Sequence, residues 1–185
     1  MPVGRLTEME GAAVTGFHRW RHGPRNLVVT GPESSGTRFV SRWLEAHPDV
    51  AARHWSMPAG EGWARHWPTD HDFDGELPTA VVMCIRSFEA TIASQINRKM
   101  VASRAEAEAL ITQSHLRTVT WVLSHGLPLY PLVYDTVVTR PESFQDVFHW
   151  LGLEPVACPE PINDANAKWL NPLEPHLEVT DAEAG

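Results

Sequence analysis

Gly31 and Gly36 bracket a short polar stretch that follows the apolar run Leu27-Val28-Val29 and precedes a segment with helical periodicity. The G-x-x-x-x-G spacing is that of loops whose backbone N–H groups wrap a phosphate. A lysine and then a serine or threonine ordinarily follow the second glycine; here Thr37 and Arg38 do. The spacing therefore predicts an anion cradle without the usual Mg-ATP chemistry. The amides of Ser34, Ser35, Gly36 and Thr37 are expected to converge at a helix N-terminus, where unpaired donors and the helix dipole both favour negative charge. A second pair stands further on. Arg86 ends an apolar run and Ser94 follows eight residues later, a little over two helical turns away. A cation at the start of a helix calls for an anion beside it, either a bound phosphate or the carboxylate of Glu89. The plainer alternatives are a tight turn at the first motif and a solvent-facing serine in the second.

These residues need elements to hold them. A strand is predicted over 26–30, then a helix with Phe39, Val40, Trp43 and Leu44 on one face that stops before Pro48, then a short strand over 50–54. Residues 55–78 are rich in Gly, Pro, Asp, His and Trp and show neither period, and a loop of that length is usually functional. Its Trp55, Trp63 and Trp67 either cap a core edge or grip a sugar or aromatic acceptor. The run 79–85 is nearly all apolar, as a central strand of a parallel sheet requires, and a helix over 88–100 must follow. Ser103 and Glu106 form a capping box for a longer helix whose stripe is Ala109, Leu116, Val119 and Leu123, ending at Gly126. A strand over 127–134 comes next. Thr139 and Glu142 make a second capping box before Phe144, Val147, Phe148 and Leu151, which repeat at helical spacing up to Gly152.

Alternation of strand and helix predicts one α/β domain over 1–185: a three-layer sandwich with a central parallel sheet, of P-loop nucleotide-binding type. Residues 1–25 form an arm and 154–185 an irregular tail. Ligands of such sheets sit beyond the carboxyl ends of the strands, here between the loops after the first strand and after the buried one.

Composition narrows the function. A net charge of -8 argues against a general nucleic-acid binder, which needs a basic face. Of fifteen basic residues only Lys99 and Lys168 are lysine, so the local positive charge is arginine, the better fork for phosphate and sulfate oxygens. Cys84 and Cys158 are too few for a metal site or a disulfide framework. No apolar stretch suits a signal peptide or a membrane span, so a cytoplasmic protein without a membrane partner is expected.

Taken in order, the motifs resemble the sulfotransferases that use 3'-phosphoadenosine 5'-phosphosulfate (PAPS). The likeness rests on Ser35-Gly36-Thr37, on Arg86 and Ser94 at their eight-residue spacing, and on Tyr134-Asp135 followed by Trp150-Leu151-Gly152-Leu153, scattered over about residues 26 to 153. The resemblance implies that Ser34, Ser35, Gly36, Thr37 and Arg38 hold the 5'-phosphosulfate and that Arg86 and Ser94 hold the 3'-phosphate. It implies PAPS as co-substrate, no metal, and sulfuryl transfer to a hydroxyl of a small-molecule or glycan acceptor. Thr37, Arg38 and the loop amides would neutralise the leaving phosphate. A base must take the acceptor's proton. The family's histidine in a Thr-His-Leu-Pro-like segment puts His66 first, with His54, Asp70 and His71 as competitors. The chain departs from the family at Ser34, where a lysine or arginine is usual and where Glu33 is its neighbour. The missing cation's role then falls to Arg38 or Arg65. The family's C-terminal Arg-Lys-Gly-type loop has no visible counterpart, and Lys168 is the candidate replacement. Two other readings stay open: a P-loop nucleotide or metabolite kinase, and a non-catalytic nucleotide-binding relative.

Overall fold

The structure, a computed structural model, describes residues 25–55, 68–69 and 76–170. Four parallel strands form one sheet in the order β2-β1-β3-β4, where β1 is Arg25–Thr30, β2 Val50–Trp55, β3 Ala80–Ile85 and β4 Leu129–Val133. Between them run α1 (Thr37–Glu45), α2 (Phe88–Asn97) and α3 (Arg104–Ser124). After β4 come α4 (Tyr134–Thr139), a 3-10 turn (Pro141–Phe144), α5 (Gln145–Trp150) and the short α6 (Ala167–Leu170). No helix among the described residues is long and apolar enough to cross a membrane.

Helices cover both faces of the sheet, which is why its inner strands are apolar without alternation. Successive side chains on a strand point to opposite faces, so Val28 and Val29 enter different cores. Val29 joins Leu27, Val82 and Cys84 against Val40, Leu44, Phe144 and Phe148. Val28 joins Val81 against Trp121 and Val122 of α3. Trp43 stacks on Phe144 at 4.0 Å between ring centroids, and Phe148 meets Phe144 edge-on at 5.6 Å. Phe148 is fully buried, so Phe148→Ala is expected to cost about 3–5 kcal/mol. Urea unfolding should show a lower midpoint at an unchanged slope.

β1 lies between β2 and β3, with Thr30 beside Trp55 on one side and beside Met83 on the other. The chain thus leaves β1 toward one side for β2 and crosses back for β3. This places the loops after β1 and β3 next to each other at the strands' carboxyl ends, as expected of a switch point in an open parallel sheet. Ser103 caps α3 as predicted, accepting from the Glu106 N–H at 3.2 Å, while Glu106 Oε2 accepts from the Ala102 N–H rather than from Ser103.

Three expectations are corrected. The strand ends at Val133, and Tyr134 opens α4 instead of closing β4. Thr139 does not cap α5. It ends α4, its hydroxyl donating back to the Asp135 carbonyl at 2.8 Å, and Pro141 with its preset φ starts the next turn. The stripe expected on α3 faces the wrong way: Leu116 and Leu123 are 65% and 74% exposed. The buried face is Ala107, Ile111, Ser114, Thr118, Trp121 and Val122, with Ala107 and Ile111 packed toward Ile92 of α2 and Trp121 and Val122 against Val28 and Val81 of the sheet.

Both cysteines are free. Cys84 is wholly buried, and desolvation pushes its thiol far above the ordinary range. The thiolate is the reactive form, so an excess of a thiol reagent at pH 8 should label only the partly buried Cys158 in the folded protein and both cysteines in denaturant. Labelling of Cys84 without denaturant would mean that β3 is open to solvent.

Candidate anion-binding site

The loop from β1 to α1 is shaped by its backbone. Ser34 (φ 70°) and Gly36 (φ 90°) take left-handed conformations, which reverse the chain twice within three residues. Gly36 caps α1 without any side-chain bond, so no cap competes for the first-turn N–H groups of the helix, and Val40 N–H closes the first helical bond on the Gly36 carbonyl. One amide expected in the cradle is taken: Ser35 N–H donates to the Pro32 carbonyl at 3.0 Å, tightening the turn itself.

A cavity of about 350 Å3 opens above this loop. Its wall includes Ser34, Gly36, Thr37 and Arg38 from the loop and α1, Arg86 from the end of β3, and Ser94 from α2. Six of the seven residues expected to bind the co-substrate thus meet at one place, although they come from three separate segments. Ser35 does not. Its side chain is fully buried under the loop, its hydroxyl has no hydrogen-bond partner, and a Cβ on Gly31 would come within 2.6 Å of it. Ser94 is buried on α2 with Arg98 one turn further along the same face, and Arg98 also lines the cavity.

Arg86 is the centre of the site. Its Nη1 donates to the Ser34 carbonyl at 2.5 Å, its Nη2 to the Ala165 carbonyl at 2.9 Å and its Nε to Asn166 Oδ1. Asn166 is itself buried and donates through Nδ2 to Asp135, whose other oxygen accepts the Ser87 N–H at 2.7 Å. The anticipated pairing with Glu89 is absent, because Glu89 is taken by Arg104 on the surface at 2.6 Å. Guanidinium has five N–H donors, so two remain after these three bonds. Burial lowers the pKa of Arg86, while Tyr134, Asp135 and Asp164 oppose that shift. The Tyr134 ring lies 5.4 Å from the guanidinium carbon, and burial raises its phenol's pKa against the pull of Arg86.

No family model, curated protein or solved structure matches the chain. The site is therefore read from its own atoms. Among the described residues, Arg38, Arg86 and Arg98 line the cavity with Glu33 as the one acid in its wall, Asp135 and Asp164 standing behind Arg86, in a chain whose net charge is -8. That local reversal of sign, together with the start of α1, suits a ligand with more than one negative charge. Trp169 of α6 closes one side.

His66, Arg65, Asp70 and His71 lie outside the described residues, and His54 is placed only as part of β2. Lys168 falls on α6, two residues beyond the Asn166 that binds Arg86. Arg98 and Asn166 were not anticipated. Arg98 had a signal, four residues after Ser94 on one helix face; Asn166 sits in a stretch with no periodicity at all.

Proposed function

We propose that the chain is a cytoplasmic PAPS-dependent sulfotransferase of P-loop type, moving a sulfuryl group to a hydroxyl of a small-molecule or glycan acceptor. One observation carries the reading: Ser34, Gly36, Thr37 and Arg38 line the same cavity as Arg86 and Ser94, at the carboxyl ends of β1 and β3. The donor set suits a nucleotide with phosphate at two positions, since the start of α1, the end of β3 and the middle of α2 all supply donors to the cavity. PAPS would supply an activated sulfuryl group whose leaving group is a phosphate. The protein's part is then to fix the ends of the nucleotide and to neutralise charge as the phosphate departs. Arg38 and the Thr37 hydroxyl stand at the start of α1, where that charge would develop. Free thiols at Cys84 and Cys158 suit a reducing compartment.

The test is thermal stabilisation by 3',5'-adenosine bisphosphate in EDTA, beside ATP with Mg2+. At about a hundred times its dissociation constant the bisphosphate should add roughly 2.7 kcal/mol of stability. A shift with the bisphosphate alone supports the sulfotransferase reading. A shift only with Mg-ATP replaces it with a kinase, and a shift with neither removes nucleotide binding altogether. Release of the bisphosphate from PAPS on adding acceptor hydroxyls then separates an enzyme from a binding relative.

A further inference from the structure

The loop lacks the cation that the resembling family carries at the position of Ser34, and it brings an acid into an anion site instead. Both oddities meet in one contact. Arg98, the residue just after α2, lines the cavity with its Nη1 3.1 Å from Glu33 Oε1 and 3.3 Å from Ser34 Oγ. A guanidinium is therefore delivered from α2 to the hydroxyl that occupies the missing cation's place. The two partners differ in freedom: the Arg98 side chain is 53% exposed and that of Glu33 16%. The backbone of Glu33 is held separately, its carbonyl accepting from Gln95 Nε2 at 3.0 Å, so the loop keeps its shape without the ion pair.

We infer that Arg98 is a third anion ligand of this cavity and that Glu33 is its placeholder. Without an anion the carboxylate holds the guanidinium against the loop. An incoming phosphate or sulfo oxygen displaces the carboxylate and takes the N–H donors of Arg98, and Glu33 turns toward solvent. The exchange accounts for an acid beside an anion cradle: Glu33 orders the arginine that would otherwise wander, and it weakens binding in return. An arginine at the end of a helix is also favourably placed with respect to the helix dipole. The inference rests on the proposed nucleotide reading of the cavity.

Isothermal titration of 3',5'-adenosine bisphosphate at fixed salt into the native chain, Arg98→Ala, Arg98→Lys and Glu33→Gln tests it. Circular dichroism melts show that each variant is folded. Arg98→Ala should weaken binding by about tenfold or more, and Arg98→Lys should recover only part, since it keeps the charge and loses the fork. Glu33→Gln should tighten binding by about threefold or more, because the competing carboxylate is gone while the side chain's size is kept. If the native chain binds the bisphosphate and both Arg98→Ala and Glu33→Gln stay within about twofold of it, Arg98 is a surface ion pair only, and the nucleotide reading stands without it. If the native chain does not bind the bisphosphate, the nucleotide reading falls and inorganic pyrophosphate decides the inference. Pyrophosphate binding that is lost in Arg98→Ala and strengthened in Glu33→Gln upholds it; binding indifferent to both, or none, overturns it.

Discussion

Gly36→Ala should destabilise the protein by about 2–5 kcal/mol and abolish the proposed bisphosphate binding. Two costs add. Gly36 has φ 90°, where any side chain is strained by about 1–2 kcal/mol. A Cβ there would also lie 2.4 Å from Tyr134 Cδ2 and 2.5 Å from Cε2, a clash worth about 1–3 kcal/mol once the surroundings give way. They give way reluctantly. The Tyr134 ring is 5% exposed, wedged against Phe39 edge-on at 6.1 Å and under the Arg86 guanidinium. Displacing it pushes either on α1 or on the arginine that lines the cavity. Gly126→Ala is the control: its φ is also left-handed, 61°, but nothing lies within 4 Å of the added carbon, so only the backbone term of about 1–2 kcal/mol is expected. Urea unfolding of both variants measures the difference, and bisphosphate titration reads the loss of the site. Adding Tyr134→Ala to each should relieve Gly36→Ala and leave Gly126→Ala unchanged, a coupling that a double-mutant cycle isolates. Equal costs for the two glycines would show that Tyr134 does not pack under the loop.

How much of this was legible depended on which residues had local reasons to be where they are. β1 and β3 are continuous apolar runs ending at a glycine loop and at an arginine, and buried parallel strands leave that mark. Of the strand order only the neighbourhood of the loops after β1 and β3 was expected, and the pairing of those strands brings Arg86 to the loop after β1. Faces of helices were harder. On α3 the apolar residues Leu116 and Leu123 lie outside while Ser114 and Thr118 lie inside, because the packing of Ile111 beside α2 and of Trp121 and Val122 on the sheet fixes which face is buried. Thr139 and Glu142 had the spacing of a cap, but Pro141 between them settled where the next turn begins. At the site, the motif residues other than Ser35 line the cavity as expected, while Asn166 and Arg98, which join it by tertiary contact, were not expected. Asn166 reaches Arg86 from eighty residues away. Arg98 reaches Ser34 from sixty-four. The first leaves no trace in a pattern of local periods, and of the second only the place of Arg98 four residues after Ser94 does.

Arg86→Ala is expected to lower bisphosphate affinity by about a hundredfold or more and stability by about 2–4 kcal/mol. The guanidinium does two jobs that a single substitution removes together. Its three donated bonds tie the loop at Ser34 to the tail at Ala165 and Asn166, and loss of them leaves partly buried acceptors that each cost about 1–3 kcal/mol when water cannot replace the donor. Its two remaining N–H donors belong to a residue that lines the cavity, and on the proposed reading they would make charged hydrogen bonds to the ligand. Asn166→Ala separates the two jobs. It removes the bond to Arg86 Nε and the bond to Asp135, but leaves the charge and the Nη bonds in place, so stability should fall by about 1–3 kcal/mol while affinity falls far less than in Arg86→Ala. Arg86→Lys asks the reverse. It keeps the charge, but one ammonium cannot span three acceptors fixed around a planar fork. If Arg86 acts mainly as an anion ligand, Asn166→Ala keeps most of the affinity despite its stability loss, and Arg86→Lys keeps only part of it. If it is a latch alone, all three variants lose affinity only in proportion to stability, and the charge at the end of β3 has no part in holding the ligand.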